Sequence, residues 1–165
     1  MNTRTRVYAA AAVTGAVTGL RSMTGPAIVS SSLAGGLLGG MGKGTRPRWF
    51  GTRTTAKTLA VLAVGELIAD KLPFVPDRTS VGPLLGRFVG GGICGAAICM
   101  ANDESPWMGV LIGGVAATGA AFAGREIRRI AAKKGKPDLP VALVEDIVAI
   151  GGGLSAIGGL RSKLL

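Results

Sequence analysis

The sequence predicts an all-α fold, a multi-pass helical membrane protein with about five spans and a broken first segment. Three observations predict it. Residues 7–20, 22–42, 88–102 and 105–124 contain no Asp, Glu, Lys or Arg, and two of these stretches reach the roughly 20 residues that a membrane helix needs. Only 17% of the 165 residues are charged, below the roughly 25% usual for soluble domains. Glycine is frequent, and pairs such as Gly15 and Gly19, Gly35 and Gly39, Gly86 and Gly90, and Gly91 and Gly95 fall four apart. Small residues at that spacing let membrane helices approach closely, within one chain or between copies. Span length argues against the alternative of a soluble Ala/Gly-rich helical protein.

The first apolar segment runs from about Val7 to Met41 and is interrupted by RSMTGP at 21–26. Thr24, Gly25 and Pro26 make a good helix start, because Pro suits the first turn and Thr can cap it. Two half-helices broken near Arg21 are expected, the second either crossing onward or turning back. The following loop carries Lys43, Arg46, Arg48, Arg53 and Lys57, with Trp49 and Phe50 as interfacial anchors. A second helix spans about Thr55 to Leu72 and stops at Pro73, and FVPDRTSVGP at 74–83 is a Pro-punctuated connector. A third span covers about Leu84 to Met100. The turn ANDESP leads to a fourth, Trp107 to about Ala123, which REIRRIAAKKGK extends as a basic amphipathic helix to about Lys134. Pro137 and Pro140 introduce a fifth, Val141 to Leu160. The apolar run after the basic N-terminus continues past any small-residue cleavage site, so it reads as a membrane segment and not a processed leader. Residues 1–165 form one transmembrane domain.

Net charge is +10 and aromatic content 4%. A nucleic-acid-binding face would interleave its cations with aromatics, so these cations suit anionic lipid head groups instead. With no histidine, and with Cys94 and Cys99 on different helix faces, no metal site is expected. Nor does any catalytic constellation or cofactor motif stand out, so an enzyme is not expected.

The ionisable residues inside apolar sequence are the candidate site. Glu66 and Asp70 lie in LAVLAVGELIADKLP, and Glu145 and Asp146 in LPVALVEDIVAIGGG. Arg21 ends TGAVTGLR and Arg125 ends TGAAFAGR, each seven positions after its Thr. Charges at membrane depth are expensive and normally pair or line a polar path. The two arginine runs are offset by 104 residues, and VGELIAD at 64–70 corresponds loosely to LVEDIVA at 143–149. Residues 7–72 and 107–160 are thus candidate repeat halves. With five crossings they would be inverted, as in secondary transporters. The positive-inside rule does not fix the orientation. Five crossings leave the basic loop at 42–54 outside, and a re-entrant first segment moves 124–137 outside instead. Ser22 and Thr24, at a helix start beside Arg21, form a candidate anion site.

GLRSMTGPA at 19–27, ELIADKLPFVPDR at 66–78 and PLLGRFVGG at 83–91 resemble the bacterial domain-of-unknown-function family four-one-two-six of small multi-pass membrane proteins. Asp70-Lys71-Leu72-Pro73 is the most recognisable part. The resemblance implies a membrane protein and brings no activity or catalytic residues. The function expected is transport or channel-like passage of a small, anionic or amphiphilic solute across the bacterial inner membrane. Arg21, Glu66, Arg125 and Glu145 would line or brace the path. The alternative is a structural or accessory subunit packing through glycine faces against itself, as a homo-oligomer, or against a larger membrane complex. A polar cavity reaching the four residues would mark the first, and tight pairing without a cavity the second.

Overall fold

The first apolar segment folds as a hairpin. In the computed structural model, which describes residues 2–38, 47–69, 81–135 and 138–161, α1 covers Thr3–Leu20 and α2 Thr24–Ala34. Gly25 packs onto Thr18 and the Thr14 carbonyl, which is possible only if α2 turns back along α1. Val29 and Leu33 accordingly share a buried cluster with Val7, Ala10 and Ala11. Arg21 leaves the helix at φ −139° and ψ 106°, and Pro26 falls in the first turn of α2, where its missing N–H is harmless.

Four further helices follow: α3 (Arg53–Ala69), α4 (Val81–Ala101), α5 (Pro106–Lys133) and α6 (Asp138–Arg161). No strand occurs among the described residues. The contacts give each direction. Ser22 and Met23 meet Glu66 while Ser30 bonds the Phe50 carbonyl, so α3 runs antiparallel to α2. The turn at 102–105, with Asp103 at φ 58°, reverses α4 into α5, and Gly95 faces Gly109 while Gly91 faces Gly113. Gly153 lies on Val17 and Arg21 reaches Asp146, so α6 is antiparallel to α1.

Glycine sets the spacing of the centre. A side chain at Gly91 would come within 2.6 Å of the Gly113 oxygen, and one at Gly109 within 2.8 Å of the Ala96 nitrogen. Gly15 and Gly19 press α1 onto Gly113 and Ala117 of the same α5. Two of the small-residue pairs therefore act within the chain. A side chain at Gly86 would meet nothing within 4 Å among the described residues, and Gly39 lies outside them. Two threonines of this tight interior bond back to their own helix: Thr14 donates to the Ala10 carbonyl at 2.8 Å and Thr18 to the Thr14 carbonyl at 2.9 Å. Large apolar side chains point outward instead, among them Ile68, Leu85, Val115 and Ile147. A small-residue interior under a bulky apolar exterior suits lipid surroundings, where close approach and not water exclusion drives packing.

Two sequence expectations change. Only Val81–Ala101, Pro106–Lys133 and Leu139–Leu160 among the described helices are long and apolar enough to cross a membrane, against about five expected. Arg4 and Arg6 lower the hydropathy of α1, α2 has 11 residues and α3 has 17. The inverted repeat also fails. Gly15 on Gly113 and Gly19 on Ala117 make α1 and α5 run in the same direction, whereas the acidic helices α3 and α6 run oppositely. No single rotation maps 7–72 onto 107–160.

Candidate functional site

The break between α1 and α2 is clamped from four sides by charge. Arg21 is 1% exposed, held where α1 ends between α5 and α6. Its Nε lies 2.6 Å from Asp146 Oδ1 and one Nη 4.0 Å from Glu145 Oε2. The same guanidinium donates to the Ala142 carbonyl at 3.3 Å. A second cation approaches from α5: Arg128 donates through Nε to Glu145 Oε1 at 3.2 Å and through Nη2 to Oε2 at 2.6 Å, the forked geometry that suits a carboxylate. Glu145 therefore bridges two arginines, and Asp146 neutralises the more buried one.

The other half of the clamp grips the turn itself. Glu66, half-buried on α3, accepts the backbone N–H of Ser22 at 2.7 Å and of Met23 at 2.8 Å. The exposed N–H groups and positive dipole end at a helix start attract a carboxylate. Arg87, buried on α4, donates its Nε to Ser22 Oγ at 3.1 Å. Arg21, Arg87 and Arg128 thus stand with Glu66, Glu145 and Asp146, three cations to three anions. Such balance lets charged groups remain at depth.

The sequence-predicted residues fare unequally. Arg21, Glu145 and Asp146 come together directly, and Glu66 joins them through the turn. Asp70 lies outside the described residues. Arg125 is exposed on α5 and lines a void of about 10 Å³ with Arg87 and Glu145, room for one water at most. Ser22 and Thr24 form no open anion site. The N–H donors at Ser22 and Met23 are taken by Glu66, and Met23, not Thr24, is the N-cap, with no side-chain cap bond.

Arg87 and Arg128 escaped the sequence reading. The signal for Arg128 was present: Gly109, Gly113, Ala117, Ala121 and Gly124 form the buried stripe of α5. Continued by one turn, that stripe lands on Arg128. The Thr-to-Arg spacing points to Arg125, on the neighbouring face. Arg87 could have been marked as a lone cation at the edge of the charge-free run 88–102.

Among the described residues, three grooves indent the surface. The one between α2, α3 and α4 measures about 410 Å³ and reaches Ser22 and Met23. Another, about 360 Å³, lies between Leu20, Ile127 and the first turns of α6 beside Glu145. The third, about 470 Å³, separates the N-terminal half of α1 from the end of α6. Comparison with protein-family models, curated proteins and solved structures finds no match to this chain.

Proposed function

We propose that this chain is an integral protein of the bacterial inner membrane with a structural or accessory role and no catalysis, its ionic cluster serving as a clamp. The observation that carries the reading is the pairing of the buried charges. Arg21, Arg128, Glu145 and Asp146 engage one another, and the void that Glu145 shares with Arg87 and Arg125 is about 10 Å³. A solute path would need polar groups facing a cavity. Membership of the uncharacterised family four-one-two-six is proposed on residues 19–27, 66–78 and 83–91, and it attaches no activity. Partners are proposed to be anionic lipids and a second copy or larger complex. Gly151 and Gly158 on α6 support the latter, since a side chain at either would meet nothing within 4 Å among the described residues.

A second reading, passage of a small anionic or amphiphilic solute, draws on the groove that reaches Ser22 and Met23. The two readings separate in proteoliposomes. A clamp leaves chloride and phosphate uptake at the level of protein-free liposomes, in the native chain and in Arg21→Gln alike. Uptake well above that level, abolished by Arg21→Gln in a protein that keeps its helical content, would sink the structural reading in favour of transport.

A further inference from the structure

We infer that the groove between α2, α3 and α4 holds an acyl chain of an anionic phospholipid, its head group at the Trp49 end. The inference rests on the membrane reading and goes beyond it. At about 410 Å³ the groove falls in the range of small-ligand sites, roughly 300–1,000 Å³. Pro26, Leu59, Gly90 and Ile93 give it apolar walls. Its α4 side, from Pro83 to Ile93, is about 15 Å long. The gap exists because α3 packs on α2 while Gly86 and Val89 of α4 stay exposed. A chain lying there would meet apolar surface on both sides, whereas an empty groove would forfeit those contacts.

Charge decides which way the lipid lies. At the Ser22 end the carboxylate of Glu66 is already bound to the turn and Arg87 is engaged with Ser22, so the cation there is committed beside a carboxylate. At the other end the sequence from Pro47 to Gly65 carries Arg48, Arg53 and Lys57 and no acidic residue, and all three cations are exposed. Trp49, 64% exposed, forms the mouth of the groove at that end. An exposed Trp amid cations is the chemistry of the head-group boundary, and each cation near an anionic surface contributes attraction.

The two tryptophans, Trp49 and Trp107, make the inference measurable by fluorescence quenching. Full-length protein is reconstituted into bilayers containing brominated-chain phosphatidylglycerol or brominated-chain phosphatidylcholine. Trp107→Phe leaves Trp49 as the groove reporter. Trp49→Phe leaves Trp107, 79% exposed at the start of α5, as a reporter of insertion alone. Trp107 should be quenched equally by both lipids. Trp49 should be quenched at a several-fold lower mole fraction of the phosphatidylglycerol, and Arg53→Gln with Lys57→Gln should abolish the difference. Gly86→Leu, whose side chain enters open space in the groove, should raise the mole fraction needed several-fold while helical content stays unchanged. Equal quenching of Trp49 by both lipids would overturn the inference, as would a preference untouched by Gly86→Leu. Trp49 emission that resists both lipids and changes on protein dilution would assign the groove to a second copy instead. Loss of Trp107 quenching by both lipids would overturn the membrane reading and this inference with it.

Discussion

Arg21 is the largest fully buried side chain among the described residues, at 1% exposure, and its neighbours explain how a guanidinium tolerates that place. Asp146 meets its Nε at 2.6 Å, and the Ala142 carbonyl and Glu145 take the Nη side. Removing one member of such a buried pair leaves an uncompensated charge, which costs about 3–5 kcal/mol. Arg21→Gln should therefore lose stability of that order in reversible unfolding from mixed micelles, and Arg21→Gln combined with Asp146→Asn should recover part of it. Equal stability of Arg21→Gln and the native chain would refute the clamp. Arg128→Gln should cost less, because Arg128 keeps an 18% exposed side chain and Glu145 keeps Arg21. The sequence made Arg21, Glu66, Glu145 and Asp146 legible because an ionisable group in apolar sequence is itself improbable. It singled out Arg125 by its Thr-to-Arg spacing and passed over Arg128, although the small-residue stripe of α5 leads to it. That Arg128 reaches Glu145 is decided by which face of α5 its neighbours cover.

At the scale of the element, α5 is the spindle of the fold. It is about 42 Å long, long enough to cross an apolar layer and leave its basic end beyond it, where Arg125 and Arg129 are exposed. Its small-residue stripe receives α4 on one flank and α1 on the other. Substitution there forces backbone apart from backbone. Gly91→Leu should cost upwards of the about 1–3 kcal/mol typical of overpacking, because a side chain at Gly91 would approach the Gly113 oxygen within 2.6 Å. Gly86→Leu, one turn away and facing open space, should be nearly neutral. Thermal unfolding in detergent compares the two, and similar losses at both positions would show that the α4–α5 contact is looser than described. The four-residue spacing announced close packing but is shared by both positions. Only the helix partner distinguishes a glycine that carries contact from one that faces outward.

For the whole molecule, the hairpin of α1 and α2 decides which segments share a side. The N-terminal turns of α1, Trp49, the 102–105 turn and Trp107 gather at one end, tied there by Tyr8 donating to Glu104 at 3.2 Å and Arg4 lying 3.4 Å from the same carboxylate. Arg21, Glu66, Arg128 and the basic end of α5 occupy the other. With Cys94 and Cys99 replaced by Ser, single cysteines at Asn2→Cys and Ser105→Cys should react with an impermeant maleimide from the same side of the membrane, and Lys134→Cys from the opposite side. Five simple crossings would instead place Asn2 with Lys134, and that labelling pattern would refute the hairpin. The sequence by itself determined that the chain is helical and apolar, where the first segment breaks, where α5 ends, and which carboxylates are out of place. These follow from local composition, from proline and glycine, and from the lengths of charge-free runs. The tertiary structure decided that α2 turns back, that α1 and α5 run in the same direction, that Glu66 fills the helix start offered to an anion, and that Arg128 completes the cluster. Each of those depends on which helix faces meet, a relation between distant residues that local pattern does not encode.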